Sequence, residues 1–520
     1  MEFPVLSEYN ALTTNINNDS DVVTVKHADK SVLDAYTTYY KEKGFEVFEN
    51  RSIGESLYIA LRRGEEGVFL NYYGGIATLT AVYEKKSEYF DFSAPAGDAV
   101  AAPQISQIHL EDFGMSYVIR LSDGRYIIID GGREFEPDAK RLFDCLEEGS
   151  TAEKPIIAAW IFTHPHTDHF HCFTKFFDMY SDKVVIERFM YTFPEHDDVI
   201  HYPAMTSTDH RFDYNTSADV FIPIMQERVA ASGAKVYSPH TGQHYVIGDA
   251  VCDILASIDD TILNTKNVNA TSLVIRMELG GQVILWGADA TFSEIKLPEK
   301  YGNFLKSDIL QIPHHGFQSG TSEAEIAGYK VINPKVCFLP VSDFNAYTIF
   351  CTYRDATRFL MRDAGVDEII TGDETRTIAL PYTAPEAARC ELRRKYLTGL
   401  NASGATSWIF TDLNTANEDD FVFTILNTAN KDANVWIELF FTDSARDLRH
   451  IKAVVPKLAI KKLSVVGDEI EDNALFFNWM NISTRGIPEN EDFAIRFTCD
   501  TPIVVSSKNH RATYHSNYNE

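Results

Sequence analysis

The order of apolar and polar positions divides the 520-residue chain into regions of different construction. In residues 1–93, strand-like runs surround one helical stretch that follows Asp29. Between residues 103 and 382, runs typical of buried strands alternate with runs of helical periodicity. Residues 407–520 hold short β-rich runs separated by turns, which favours an antiparallel sandwich or barrel. The pattern therefore predicts a small α/β domain, a central α/β domain and an all-β sandwich, in that order.

Two segments of different composition separate these regions. Residues 94–104 are rich in Ala, Gly and Pro, which is typical of a linker. Residues 383–400 have the pattern of a helix, and the N-A-S-G-A-T stretch that follows is a flexible break. We therefore expect a helical linker over residues 383–406.

The strongest chemical signal follows a buried strand predicted at 156–162. Four histidines and an aspartate lie there within eight positions: His164, His166, Asp168, His169 and His171. The first two histidines would point to the same side of an extended segment, and a helix predicted at 170–180 would begin just after the turn. Histidine and carboxylate ligands suit Zn²⁺, Mn²⁺ or Fe. Two ligand pairs on one strand-to-helix turn can hold two metals that activate a bridging hydroxide.

Four motifs along the chain resemble, in their order, those of the metallo-β-lactamase superfamily. They are D-G-G at 130–132, H-x-H-x-D-H at 164–169, the strand end Q-V-I-L-W-G-A-D-A at 282–290, and P-H-H-G at 313–316. The resemblance spans about residues 103–382 and implies an αββα sandwich. The N-x-x-S-L-V stretch beginning at Asn269 is shared with the hydrolase domains of DNA-uptake competence proteins and with phosphorylcholine esterases.

The resemblance also implies roles for the motif residues. His164 and His166 would bind the first metal. Asp168, His169 and one histidine of the pair His314/His315, which we take as His315, would bind the second, and Asp289 would bridge the two. The other histidine of the pair, His314, would steady the developing oxyanion. Asp168 could also accept a proton. Asp130 would orient the ligand histidines.

Two positions depart from the superfamily pattern. Many members place a third histidine for the first metal just before the strand at 272–277, where this chain has Asn267 and Asn269. Phosphodiesterase relatives often carry N-x-Y-x-H-P, and here Ile349 stands at the place of that histidine. The first metal would then be weakly held, absent, or completed from elsewhere. The available histidines are His196, His201, His210 and His240; His240 ranks first, although an ordinary loop histidine is an equally good interpretation.

The composition of the chain limits the kinds of partner that it is expected to bind. The chain has 75 acidic and 47 basic residues and a net charge of −28. Long nucleic acid is therefore disfavoured as a partner, whereas a small anionic ester held by metals is not. Seven cysteines without a C-x-x-C pair suggest reduced thiols and a cytoplasmic location. The N-terminus lacks a secretory pattern, and no apolar run reaches the roughly 18 residues of a membrane span.

The C-terminal region resembles a second family, the sensory rhodopsin transducers, which are small β-sandwiches. The resemblance rests on the stretches at 424–443 and 500–511. It implies small-molecule binding or oligomerisation, so a homo-oligomer formed through this domain is one expectation. A structural appendage is the alternative interpretation.

These observations favour a metal-dependent hydrolase that uses metal-activated water on a small phosphodiester or related ester, with one or two Zn²⁺ ions, or Mn²⁺ or Fe. The alternative is a metal-retaining binding, sensing or scaffold protein with little or no turnover. An iron oxidoreductase is a third possibility, but no G-x-G-x-x-G fingerprint follows a predicted strand.

Overall fold

The computed structural model describes most of the chain, in segments that cover all three predicted regions. These are residues 3–4, 10–17, 19–112, 114–193, 220–260, 268–316, 323–342, 346, 365–389, 392, 405–414, 422–441, 449–464, 477–481, 492–507 and 514–516. Within them, no helix is long and apolar enough to cross a membrane. The chain divides near residue 383 into two compact units.

The N-terminal region is an antiparallel six-stranded sheet with one helix. The strand order is β1-β2-β6-β5-β4-β3. Asp29 caps the helix by accepting a hydrogen bond of 2.8 Å from the backbone N–H of Ser31, at the predicted start. The elements are β1 Asn10–Asn17, β2 Ser20–Lys26, α1 Lys30–Glu42, β3 Glu46–Ile53, β4 Ser56–Arg63, β5 Glu66–Tyr73 and β6 Thr78–Glu84.

The central region begins with an eight-stranded mixed sheet, which carries its helices on one face. Its order is β13-β12-β10-β9-β8-β7-β21, with β11 beside β10. Phe143, Phe173, Phe176 and Met225 from three helices share one buried cluster with Trp160 of this sheet. The elements are β7 Gln104–Gln107, β8 Ser116–Arg120, β9 Tyr126–Asp130, α2 Glu136–Gly149, β10 Ile156–Ile161, α3 Thr167–Phe170, α4 Cys172–Tyr180, β11 Val185–Ile186, β12 Arg188–Met190, α5 Ile222–Ser232, β13 Lys235–Tyr237 and β21 Arg376–Ala379.

A seven-stranded sheet in the order β14-β15-β16-β17-β18-β19-β20 forms the second layer. Tyr117 of the first sheet packs against Trp286 and Phe338 of this one, with ring centroids 4.9 and 5.4 Å apart. Within the described residues, helices connect β17 to β18 and β18 to β19, and the predicted αββα arrangement is confirmed. The elements are β14 His244–Ile247, β15 Ala250–Ala256, β16 Val274–Leu279, β17 Gln282–Trp286, α6 Leu297–Tyr301, β18 Ile309–Gln311, α7 Glu323–Ile332, β19 Val336–Leu339 and β20 Glu368–Thr371.

The N-terminal sheet is joined to the central region within the same compact unit. Arg51 forms an ion pair of 2.7 Å with Asp253. Asn71 donates a hydrogen bond of 2.7 Å to the carbonyl of Thr241. These contacts link strands β3 and β5 to the residues around β14 and β15. The domain boundary expected near residue 93 stays a prediction.

The second unit is built on β-strands, as expected for an all-β sandwich. Its strands follow the order β25-β24-β28-β23-β26-β27, with β22 beside β28 and β29 beside β22. Trp408, Phe423, Ile437 and Phe497 belong to its buried core. Of the predicted linker, residues 386–389 are helical, and much of the rest lies outside the described residues. The strands are β22 Ala405–Asn414, β23 Val422–Asn427, β24 Ala433–Phe441, β25 Arg449–Val455, β26 Ala459–Ser464, β27 Phe477–Asn481, β28 Asp492–Ser507 and β29 Tyr514–Ser516.

Candidate metal centre

The ends of four strands from both central sheets meet at one edge of the molecule. Strand β9 ends at Asp130, and its parallel neighbour β10 leads into the histidine-rich turn. In the other sheet, β17 leads to Asp289 and its parallel neighbour β18 leads to Pro313–Gly316. The carboxyl ends of parallel strands lie at the same edge, which is where α/β proteins bind ligands. All four sequence motifs therefore contribute to one site.

Several non-glycine residues at this edge adopt left-handed backbone conformations. The φ angles are 57° at Asp130, 47° at Ala288, 50° at His314 and 51° at His315. Such conformations cost free energy in residues with a Cβ atom, and they cluster at functional sites. Their concentration beside the histidine turn indicates that the surrounding structure holds these residues in an unfavourable backbone conformation, which fixes where their side chains lie.

The turn after β10 places its ligands slightly differently from the prediction. The helix was expected from residue 170, with Asp168 and His169 in the preceding turn. In the structure α3 already begins at Thr167, so both residues lie in its first turn. The backbone N–H of His169 bonds the carbonyl of His166 at 3.0 Å, which closes this turn and directs the side chains toward the neighbouring strand ends.

One group of possible ligands consists of His164, His166 and Asp289. The Nε2 atom of His164 lies 3.0 Å from Nδ1 of His166. The same Nε2 atom lies 3.7 Å from Oδ2 of Asp289. His164 and Asp289 are buried, whereas His166 is partly exposed. The group has the two imidazoles and the carboxylate expected for the first metal.

The second group consists of Asp168, His169 and His315, all buried. The Nε2 atom of His315 lies 3.4 Å from Oδ2 of Asp168, and that of His169 lies 3.9 Å from the same oxygen. Asp289 also contacts this group, with Oδ2 at 3.3 Å from His169 Nε2 and Oδ1 at 3.5 Å from His315 Nε2. The carboxylate of Asp289 therefore faces both groups, as expected of a bridging ligand.

Burial and neighbouring charges shift the pKa values of the site residues in opposite directions. Burial lowers the pKa of His164 well below its usual value and lowers that of His166 to about 4. Burial alone would lower the pKa of His169, but Asp289 and Asp130 raise it well above its usual value. Although burial raises the pKa of Asp289, His169 and His315 hold it well below its usual range. His164 and His166 are thus neutral near pH 7, with lone pairs able to bind a cation.

Asp130 lies behind the second group and contacts His169. Its Oδ2 atom lies 2.7 Å from Nδ1 of His169. Thr163 donates its backbone N–H to Oδ1 at 2.8 Å and its hydroxyl to Oδ2 at 2.7 Å. Trp160 donates its indole N–H to the Asp130 carbonyl at 2.9 Å. This geometry is that of a carboxylate that fixes a ligand histidine and leaves its Nε2 atom facing the site.

Sequence reasoning missed Thr163 and Ser272. Thr163 directly precedes the histidine turn and satisfies both oxygens of Asp130. Ser272 accepts a hydrogen bond from the Asp289 backbone N–H at 3.3 Å and donates one to the Asn269 carbonyl at 2.7 Å. The T-H-x-H and N-x-x-S patterns contained both residues, but their partners are distant in sequence.

The residues present fit a metal-binding function. Among the described residues, Nε2 of His169 and Oδ1 of Asp289 are buried and have no hydrogen-bond partner of good geometry. Buried polar atoms are normally paired, so atoms left open in the same small space require an explanation. Imidazole nitrogens and carboxylate oxygens are the donors that Zn²⁺, Mn²⁺ and Fe accept.

His314, the neighbour of His315, belongs to neither ligand group, and Asn269 contacts it. The amide nitrogen of Asn269 lies 3.1 Å from Nε2 of His314. Asn269, which stands near the position of the superfamily's third histidine, is thus engaged with a neighbouring histidine. His314 lies next to the ligand candidate His315, so its expected oxyanion role stays a prediction.

His240, our first choice for completing the first metal, lies elsewhere. Its Nδ1 atom is 2.8 Å from Asp259 and its Nε2 atom is 3.1 Å from Glu84. Phe69 stacks on its ring at a centroid distance of 5.4 Å. These contacts join the N-terminal sheet to the central region, so His240 is a packing residue of that interface. The other candidates and departures lie outside the described residues: His196, His201, His210, Asn267 and Ile349.

A cavity of about 270 Å³ opens at the same edge of the sheets. It is lined by the β7–β8 loop and by the residues that follow β19 and β20. This loop contacts the metal turn through Met115, the neighbour of Gly114, whose backbone N–H donates a hydrogen bond of 3.0 Å to the Asp168 carbonyl. Among the described residues that line it, Glu111, Asp112 and Asp373 are acidic, and none is Lys or Arg.

Residues 110–259 match the family model described as Metallo-beta-lactamase superfamily. This segment contains D-G-G and the histidine turn, whereas Asp289 and the histidine pair at 314–315 lie beyond it. Among curated proteins, none matches the chain.

The solved structures that are similar to parts of the chain include the following three. The Anabaena sensory rhodopsin transducer is 24% identical, with 20% of this chain and 96% of that chain covered and a TM-score of 0.15. Thermotoga maritima 1070 is 17% identical, with 22% and 97% covered and a TM-score of 0.16. CmlA, a diiron β-hydroxylase from Streptomyces venezuelae, is 12% identical, with 55% of each chain covered and a TM-score of 0.33.

Proposed function

The chain contains a metallo-β-lactamase superfamily domain, and from this premise we propose that it is a metal-dependent hydrolase acting on a small phosphodiester or a related ester. The observation that carries the proposal is the pair of ligand groups that share Asp289. Metals bound there would act as Lewis acids and lower the pKa of a coordinated water.

Each residue of the site has a defined part in this proposal. His164 and His166 would hold the first metal, while Asp168, His169 and His315 would hold the second. Asp289 would hold the two at a fixed separation. His314 would donate a hydrogen bond to the oxygen that gains negative charge during attack. Asp130 would keep the His169 ring in place.

The charge distribution supports a small substrate. The net charge of −28 disfavours a long polyanion. Of the three carboxylates that line the cavity beside the metal turn, Glu111 forms an ion pair with Arg141 and Asp112 lies 3.6 Å from Arg133. The anionic centre of an ester would bind at the metals, and the cavity would take another part of a small substrate.

The test is hydrolysis of bis-p-nitrophenyl phosphate by metal-depleted protein, before and after addition of Zn²⁺, Mn²⁺ or Fe²⁺. We expect turnover only with metal. His166→Ala should reduce it by about a hundredfold or more, because several kcal/mol of transition-state stabilisation depend on the metals. His27→Ala, which changes an exposed histidine outside the site, should leave it unchanged.

Substrate class is resolved by comparing three p-nitrophenyl compounds: the phosphodiester, the phosphomonoester and the acetate. The proposal predicts the highest metal-dependent kcat/KM for the phosphodiester. A preference for the acetate would change the proposed substrate class but would still support a hydrolase activity. Absence of turnover on all three with each metal loaded would contradict the proposal and favour a protein that retains metal for binding or sensing.

A further inference from the structure

Part of the candidate metal centre comes from two neighbouring loops of the second central sheet. The loop after β17 carries Asp289, and the loop after β18 carries His315. The two side chains approach each other closely, since Oδ1 of Asp289 lies 3.5 Å from Nε2 of His315. Both loops contain left-handed residues, with φ angles of 47° at Ala288 and 50° at His314. Such backbone conformations need support from the surrounding structure.

Gln311, the last residue of β18, contacts both loops through its side chain, which is fully buried. Its Oε1 atom accepts a hydrogen bond of 2.9 Å from the backbone N–H of Gly287. Its Nε2 atom donates to the carbonyls of Ala288 at 3.3 Å and of Ile312 at 2.6 Å. These partners fix the orientation of the amide, because only its oxygen can accept and only its nitrogen can donate. One side chain therefore joins the loop after β17 to the loop after β18.

The carbonyl of Ala288 is a point at which the two loops meet. It accepts the bond from Gln311 and a second bond of 2.9 Å from the backbone N–H of His314. The loops are also packed closely, since a Cβ atom on Gly287 would lie only 2.8 Å from Cγ of Pro313. A displacement of one loop would therefore have to displace the other.

An apolar side chain would suit the strand position of Gln311 better than an amide does. Its neighbours Ile309 and Leu310 are buried and apolar, and so is Phe338, its partner on β19. A buried amide costs free energy unless it is hydrogen-bonded. The three hydrogen bonds of the Gln311 side chain lead to loop backbone, so the amide serves the two loops that carry metal ligands.

We propose that Gln311 is a positioning residue of the metal centre, which holds the carboxylate of Asp289 at the distance from His315 that a shared metal requires. The proposal rests on the proposed metal centre and adds a residue that acts through the backbone without touching a metal. Ligand groups have to be held within roughly 0.5 Å of their working geometry. Loss of the amide should therefore lower metal affinity although every ligand is still present.

The test is a titration of metal-free protein with Zn²⁺ in competition with a chromophoric chelator, which reports bound metal without any substrate. Gln311→Met keeps the length of the side chain and removes its hydrogen bonds. It should weaken zinc binding by about tenfold or more, which is the effect typical of residues that orient metal ligands. The visible spectrum of the Co²⁺-loaded variant should also differ from that of wild type, because this spectrum reports the geometry of the ligands.

Gln107→Met is the matched control. Gln107 is also buried, and its Nε2 atom donates to the carbonyls of Ile370 and Thr371 while its Oε1 atom accepts from the hydroxyl of Tyr117. The two variants should lose similar amounts of unfolding free energy, because each leaves buried polar groups without a partner. Only Gln311→Met should lose zinc affinity and change the Co²⁺ spectrum.

Gly287→Ala tests the same contact between the loops and decides the question if Gln311→Met does not fold. The added Cβ atom would press on Pro313 and push the two loops apart, so zinc affinity should again fall by about tenfold. Gly149→Ala is its control, because a Cβ atom there would lie at the same distance, 2.8 Å, from the hydroxyl of Tyr126 at the start of β9. This control should leave zinc affinity unchanged.

Equal zinc affinities and equal Co²⁺ spectra in wild-type protein and folded Gln311→Met would overturn the proposal. A similar loss of affinity in Gln107→Met would also overturn it, because the effect would then follow stability and not position. The result is separate from the hydrolase proposal, since a selective loss in a protein without ester hydrolysis would sustain the role of Gln311 and contradict only the proposed activity. Absence of zinc binding in wild-type protein would contradict both.

Discussion

Two buried clusters in the first unit contain histidines among carboxylates, yet they differ in what the histidines can do. In one, His240 lies between Asp259 and Glu84, and each ring nitrogen faces a carboxylate at 2.8 or 3.1 Å. In the other, His164 and His166 lie within 3.0 Å of one another and share one side of Asp289. In the first cluster His240 forms ion pairs with the two carboxylates on either side of it, whereas in the second cluster two imidazoles lie beside one carboxylate.

The pKa values express this difference. Burial alone would lower the pKa of His240, but Asp259 and Glu84 raise it to about 10. Burial lowers the pKa of His166 to about 4. A protonated imidazole has no lone pair for a metal, whereas a neutral one does.

By this criterion His164 and His166 are ready to bind a cation. Despite burial, the nearby carboxylates raise the pKa of His169 well above its usual value and that of His315 to about 9, so these two histidines must release a proton when a metal binds. What separates the two clusters is that several imidazoles face one carboxylate in the metal site, whereas one imidazole faces two carboxylates in the His240 cluster.

The largest expected effect comes from replacing the aspartate of each cluster by asparagine and comparing the two variants. Asp289→Asn removes the ligand shared by both groups, so we expect bound metal to fall below one equivalent and metal-dependent hydrolysis to fall by about a thousandfold or more. Asp259→Asn, the matched change in the His240 cluster, should leave metal content intact. Elemental analysis and the phosphodiester assay on both variants measure this. Equal metal loss in the two variants would break the distinction.

His240→Gln should reduce stability without affecting the metal. It leaves Glu84 and Asp259 buried without their cationic partner, and loss of one member of a buried ion pair costs about 3–5 kcal/mol of unfolding free energy. Urea unfolding near pH 6.5 measures the change. A variant as stable as wild type, or one that loses metal while folded, would contradict the packing role.

The same residue predicts a pH dependence of stability. Because the pKa of His240 is raised from 6.5 to about 10, its stabilising contribution is complete below pH 6.5 and is lost as the pH rises toward 10. Wild-type protein should therefore lose unfolding free energy over this range, and His240→Gln should lose less of it. Parallel curves for the two proteins would show that His240 is not the group responsible.

Asp130→Asn should have a moderate effect on the metal centre. The substitution weakens the contact that orients His169, and loss of such a partner reduces metal affinity or activity by about 10- to 100-fold. Competition with a chelator measures the affinity. Asp138→Asn, which changes a buried aspartate on helix α2, is the control and should leave affinity unchanged. An unchanged metal affinity in Asp130→Asn would show that Asp130 does not orient His169 for metal binding.

Gly114→Ala should give the smallest effect of this series. A Cβ atom there would lie 2.7 Å from the Asp168 carbonyl oxygen and 3.2 Å from the Cα atom of Gly132, so the metal turn would have to shift. We expect metal affinity to fall severalfold. Gly74→Ala, whose Cβ atom would meet no atom closer than 3.8 Å, should leave affinity unchanged. Equal affinities in both variants would show that the loop does not support Asp168.

The local parts of this structure could be predicted from the residue pattern, and the αββα arrangement with its four separated motifs from the family resemblance, whereas other long-range contacts could not be predicted. The histidine turn follows a strongly apolar strand and precedes a helix, so local pattern was sufficient to predict it. The residue pattern does not predict strand β1, because N-A-L-T-T-N-I-N has few apolar positions. The partners of His240 depend on contacts between β6 and a distant turn, which no local pattern contains. The start of α3 at Thr167 follows from backbone bonding that residue types alone do not determine.

The most direct test of the account is the metal content of the protein, measured by elemental analysis after purification without chelator or metal-affinity resin. The account predicts at least one equivalent of a divalent transition metal in wild-type protein and in Asp259→Asn, and less than one in Asp289→Asn. Wild-type protein that holds no metal, and gains none after incubation with Zn²⁺, Mn²⁺ or Fe²⁺, would contradict the assignment of the two ligand groups.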